Sequence, residues 1–212
     1  MGDGAGAGVS GEGRTLAGPG GFASDDGAPD FAIRNARSPE DRAQALRTGR
    51  VLVAVVADAD EVDESGADKS SHMSVVSMLA GDGRRGLLVF TGLDSLLVWN
   101  SQARPVPVSG KDAAAAAIDD GCEALVIDVA GPTSAVVQES DVVAIAGIDP
   151  LDHAASMLAE FVEAESVVVD RDSARLRVMV KAHLAEDVAA NIPARVFALV
   201  PAGVEVGAVD SR

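Results

Sequence analysis

The sequence predicts a mixed α/β protein, and three observations carry that prediction. Near-continuous apolar runs of strand length recur, as RVLVAVVA over residues 50–57, LLVF over 87–90 and EALVIDV over 123–129. Runs of this kind mark strands buried on both faces. Helix-start signals alternate with them at Ser38, Thr91, Ser109 and Asp149, each followed three residues later by an aspartate; a short polar cap and a carboxylate in the first turn together satisfy free amide groups. The third observation is Asp170-Arg171-Asp172-Ser173 between two valine-rich segments, a hairpin signature.

The elements follow in chain order. Residues 1–37 are rich in Gly, Ala, Asp and Ser and hold few bulky apolar groups. Such a segment buries too little surface to offset its ordering entropy, so a disordered tail is expected, with Phe31 and Ile33 as its candidates for docking. Ser38-Pro39 opens a helix carrying Ala43, Leu46 and Arg47 on one face, and Gly49 stops it. A buried strand, an acidic loop over 58–71 and an amphipathic strand over 72–80 come next. The turn 81–86 (GDGRRG) leads to the strand 87–90. A short helix then begins at Thr91 with Leu93, Leu96 and Leu97 inward. A short strand over 105–108 precedes an alanine-rich helix capped by Ser109 and ended by Gly121. The strand 123–129, a turn at Gly131-Pro132, a segment over 134–138 and a short helix over 141–146 complete a domain of five or six strands spanning 38–148. From Asp149 a helix runs to about residue 165. Strands at 167–169 and 176–180, a helix at 184–192 and a strand at 195–200 give a small β-β-α-β extension over 149–212.

Composition narrows function. Forty-eight per cent of the 212 residues are apolar but only 3% are aromatic, so the core is built from Val, Leu, Ile and Ala. A formal net charge of −16 leaves no basic stripe for nucleic acid and no attraction to anionic membranes. No apolar run reaches the roughly 20 residues of a spanning helix, and the opening MGDGAGAGVSGEG has neither the basic nor the apolar part of a secretory signal. The single cysteine, Cys122, has no internal disulfide partner. A cytoplasmic protein is expected.

The order of Phe90-Thr91-Gly92, a leucine helix ending in Trp99, Ala103-Arg104-Pro105-Val106-Pro107-Val108, the alanine helix, Ala124-Leu125-Val126-Ile127-Asp128 and Gly131-Pro132 resembles the N-terminal domain of the bacterial SseB family. The resemblance covers residues 38–148. Residues 197–203 (FALVPAG) are similar to the variable C-terminal extension of actinobacterial members. No enzymatic activity is established for that family, so the resemblance implies no catalytic, cofactor or metal residue.

The residues themselves agree on this point. Gly81-x-Gly83-x-x-Gly86 matches a dinucleotide fingerprint in spelling, but the mechanism needs a helix after the glycines and a strand follows instead. Gly110-Lys111 lacks both the earlier glycine and the hydroxyl residue of a phosphate loop. The acidic loop fails the calcium-loop spacing, with Val62, Asp63 and Lys69 at the decisive places. His72, His153 and His183 lie on three separate elements without ligand spacing, and His153 is expected to be exposed. Cys122 has no neighbouring base and reads as a small packed residue. Trp99 and Arg104 remain as the candidate binding residues, since Trp and Arg dominate interface hot spots; a Trp99 that caps the core edge is the competing structural role.

The reading is a non-catalytic adaptor module with a protein partner and no cofactor. One alternative is a ligand-binding or enzymatic pocket at the carboxyl ends of strands, near Thr91 and Asp128. The other is a structural homo-oligomer joined through an exposed strand edge or the hairpin of the C-terminal extension.

Overall fold

A computed structural model describes residue 22 and residues 24–57, 73–131, 133–161 and 166–209, which fall into two units, Met1–Ala146 and Gly147–Arg212. The acidic loop 58–71 and His72 lie outside the described residues.

Ordered structure in the first unit begins ahead of Ser38. Helix α1 (Phe31–Arg34) is capped by Asp30, whose carboxylate accepts from the amides of Ala32 and Ile33. Ile33 is buried, as its apolar character suggested, whereas Phe31 is 64% exposed. Composition hid this segment because charge anchors it rather than apolar area. Arg50 donates to Asp25 Oδ2 at 2.6 Å and to the carbonyls of Ala28 and Thr91. Residues 1–21 and 23 lie outside the described residues.

Helix α2 (Pro39–Thr48) starts as its sequence dictates, with Ser38 Oγ accepting from Asp41 N and Pro39 in the first turn. Gly49 ends it with extended backbone. Strand β1 (Arg50–Ala57) follows, its Val51–Val55 stretch buried on both faces. The strand expected over 72–80 is split at Val76 into β2 (Met73–Val75) and β3 (Ser77–Leu79). The split has a geometric reason: β1 and β4 (Arg85–Phe90) pair only at Leu52–Val53 and then diverge. The segment fills the opening, with β2 on β1 and β3 on β4. Gly83, at φ +89°, makes the turn between β3 and β4, so the three glycines of that turn serve a hairpin.

Helix α3 (Leu93–Trp99), β5 (Arg104–Ser109), α4 (Gly110–Asp119), β6 (Ala124–Ile127), β7 (Ala135–Gln138) and α5 (Glu139–Ala146) complete the unit. Among the described residues the sheet has seven strands, one or two more than expected, because of the split strand and β7. Within this sheet, among the described residues, only β4 and β6 pair in parallel. Phe90, Leu88, Leu52, Ala54, Val76 and Leu96 form a core cluster under α3, while α2, α4 and α5 cover the opposite face. The alanines of α4 explain the close packing there: Ala113, Ala114 and Ala117 are fully buried, so backbones approach without large side chains between them.

Among the described residues β5 is an edge strand, paired only with β1. Alternate residues of such a strand aim their amides in opposite directions, so pairing through Arg104, Val106 and Val108 turns the Pro105 and Pro107 nitrogens to the open edge. Neither proline carries an N–H, so this edge offers a poor template for another strand.

In the second unit α6 (Pro150–Phe161) is started by Asp149, which accepts from Leu151 N and Asp152 N. His153, expected to be exposed, is half-buried in its first turn. The hairpin β8 (Ser166–Asp170) and β9 (Arg175–Lys181) forms around Asp170-Arg171-Asp172-Ser173 as expected. The strand expected over 195–200 is instead helix α8 (Ala194–Leu199), following a 3-10 turn and α7 (Ala185–Asn191). Val196, Leu199 and Val200 share one buried helical face, a periodicity that a run of six residues states too weakly to outweigh its β-branched content. The last strand is β10 (Val204–Val209), parallel to β9. A parallel return needs a crossover, and α7 and α8 provide it. The β-β-α-β order therefore holds with its final strand displaced. No helix among the described residues is long and apolar enough to cross a membrane.

Candidate functional site

The parallel pair β4–β6 brings Thr91 and Asp128 together at its carboxyl end. Each follows directly on its strand, and the register Val89↔Ile127 places the two side by side. Asp128 is 1% exposed and has left-handed backbone, φ +46°, a conformation Asp tolerates better than most residues. Thr91 N donates to Asp128 Oδ1 at 2.9 Å, and Thr91 Oγ1 donates to Oδ2 at 2.7 Å. The Ser95 hydroxyl lies 2.5 Å from Oδ1 and 2.9 Å from the Gly92 carbonyl. From the other side Arg34 Nε donates to Thr91 Oγ1 at 2.8 Å, 3.9 Å from Asp128 Oδ2.

This network corrects one expectation. Thr91 does not cap α3; Gly92 occupies the cap position without a side-chain bond. The threonine hydroxyl that was to accept from the helix is engaged with Asp128, and Asp94 faces Arg34. Both Arg34 terminal nitrogens donate to the Asp94 carboxylate at 2.7 Å. Hydrogen bonding to Arg34 holds the Asp94 carboxyl below the usual carboxylate range, and the same contact raises the Arg34 guanidinium. Because the folded-state value is depressed, the stabilisation is complete above the ordinary carboxylate range and fades as pH falls through the folded-state value. Arg34→Ala should return the Asp94 carboxyl to its ordinary titration, read by NMR of its side-chain carbon; an unchanged midpoint would break the assignment.

The arrangement is a clasp. It fastens α1, α3, β4 and β6 through one buried carboxylate, and no buried side-chain polar atom among the described residues is without a partner. A ligand site at this point would have to compete with protein atoms for every polar group of Thr91 and Asp128. Arg34 and Ser95 were not singled out from the sequence, and the signal that finds them is topological: both stand next to strand ends only after β4 and β6 are paired.

Trp99 and Arg104 are put to different uses. Trp99 is half-buried against the core cluster, its ring centroid 5.5 Å from that of Phe90. Removing it would therefore act through packing. Arg104 is exposed at the start of β5, and its guanidinium has no hydrogen bond or ion pair to any described residue. Leu97, expected inward, is 44% exposed, and its neighbour Val98 is 70% exposed. Leu93, Leu96 and Trp99 take the inner side of this seven-residue helix; at 100° per residue Val98 falls nearly opposite them and Leu97 on the flank. The outer side of the helix therefore exposes Leu97 and Val98 on either side of Asp94, and Arg104 follows five residues after its end, at the start of β5.

Cys122 is buried, and that burial pushes its thiol up, which keeps it from acting as a ready nucleophile. Among the described residues no three His, Cys, Asp or Glu side chains are grouped to hold a metal ion.

Comparison with known proteins returns no match among curated proteins and none among solved structures. The family model for the SseB protein N-terminal domain matches residues 31–144, from the first residue of α1 to within α5. That match takes in the Asp128 clasp, helix α3 and Arg104 and covers more than half of the sequence, and the chain belongs to the SseB family.

Proposed function

We propose that this chain is a non-catalytic, cytoplasmic protein-binding module that engages its partner through the outer face of α3 and Arg104. The observation that carries the reading is the solvent-facing Leu97–Val98 pair on a helix already anchored by its inner face. Two neighbouring exposed apolar side chains on a helix already anchored by its inner side offer apolar area that another molecule can cover. Arg104 adds a guanidinium with five donors at the margin, and anchors of this type dominate interface energetics. The lone buried cysteine accords with a reducing compartment.

Affinity capture from native lysate with the whole chain tests the reading. Val98→Asp and Arg104→Ala should each lower recovery of the captured partner at least tenfold. Their folding stabilities should stay within about 0.5 kcal/mol of the parent, as exposed substitutions usually do. Equal recovery by both variants would remove this face from consideration, and turnover abolished by a single polar substitution would replace the reading with an enzymatic one.

A further inference from the structure

We propose that the chain self-associates through β8, two copies pairing antiparallel about Val168 to join their three-stranded sheets into one of six. The inference is independent of the α3 surface. In the sheet order β10-β9-β8, β8 has a strand on one side only among the described residues. Its sequence, Ser-Val-Val-Val-Asp, has no proline and no lysine, the residues that protect edges. The contrast lies within the same molecule, because the β5 edge carries two prolines and an arginine. β7 is one residue shorter, and β10 interrupts its run with Glu205 and Gly207. Val168 stands 47% exposed at the middle of β8, on the face opposite the half-buried Val167 and Val169.

Self-complementarity selects the partner and the direction. Antiparallel pairing about Val168 sets Ser166 opposite Asp170 of the second copy, a hydroxyl against a carboxylate. It also sets Val167 opposite Val169 and Val168 opposite itself. In-register parallel pairing would instead place the two Asp170 carboxylates side by side, and like charges so placed repel. On the covered face Val167 and Val169 of both copies would continue one apolar layer beneath α6, which packs on β8. Five residues of strand edge make a small interface, and small interfaces give weak, concentration-dependent association.

Sedimentation velocity on the full chain from about 1 µM to 1 mM measures this, the range being where interfaces of this size bind. The weight-average mass should climb from the 21.4 kDa of one chain toward twice that value. Val168→Asp should weaken dimerisation at least tenfold. The new carboxylate faces Arg177 within its own sheet, which favours folding, but meets its own copy across the two-fold axis. Should that variant fail to fold, amide exchange on the parent chain decides: residues 166–170 should gain protection between dilute and concentrated samples. A monomer at every concentration, a dimer indifferent to Val168→Asp, or protection arising elsewhere would each overturn the proposal.

Discussion

Asp128→Ala should lower folding stability by about 3–5 kcal/mol, the range for removing one partner of a buried charged network. The substitution strands the Thr91 amide and the Thr91 hydroxyl proton where Thr91 is fully buried, and leaves the Ser95 hydroxyl with the Gly92 carbonyl alone. Each buried donor left without an acceptor costs about 1–3 kcal/mol. It also places a residue less tolerant of left-handed backbone at φ +46°. Asp128→Asn provides the contrast, since it keeps an oxygen for Thr91 N and Ser95 and suits the backbone, so it should lose less than half as much. Urea melts of the three proteins check this. A loss under about 1 kcal/mol for Asp128→Ala, below what a single stranded donor costs, would mean that the clasp does not hold the unit together.

Gly110→Ala should be nearly as damaging, at about 3 kcal/mol, the upper part of the range for overpacking. An added Cβ would lie 2.1 Å from the Leu46 carbonyl oxygen and 2.9 Å from its carbon, both backbone atoms of α2. Gly110 N also donates to the Gly49 carbonyl at 3.0 Å, so α4 has no room to shift away. Ser109→Ala, one residue earlier, removes the cap on Asp112 N and the exposed bond from the hydroxyl to the Asp112 carboxylate, and should cost about 1 kcal/mol. A thermal melt that ranks the two substitutions the other way would contradict the close α2–α4 approach.

Local signals in this chain translated well. Ser38, Ser109 and Asp149 begin helices where their hydroxyl or carboxylate chemistry says they should, and Arg50–Ala57 is a strand along its full expected length, buried from Val51 to Val55. What the sequence concealed depends on contacts made across the fold. Thr91 has the spelling of a helix cap, but a carboxylate 37 positions away claims its hydroxyl first. Residues 24–37 have a disordered composition, yet Asp25, Asp30 and Arg34 find partners on Arg50, Thr91 and Asp94. The run from Arg195 to Val200 is short enough to be strand or helix, and the parallel pairing of β9 with β10 decided it. For Trp99 and Arg104 the residues alone left both roles open: a side chain at a helix end gives no sign of facing Phe90 or solvent until the helix is placed.

Amide exchange on the captured complex tests the central claim most directly, because it maps the contact without altering the chain. With partner bound, protection should rise in residues 93–105, across α3 and the start of β5, and stay unchanged at Thr91 and Asp128, whose bonds are already closed. New protection confined to other segments, with 93–105 exchanging as in the free chain, would contradict the assignment of the outer face of α3 as the binding surface.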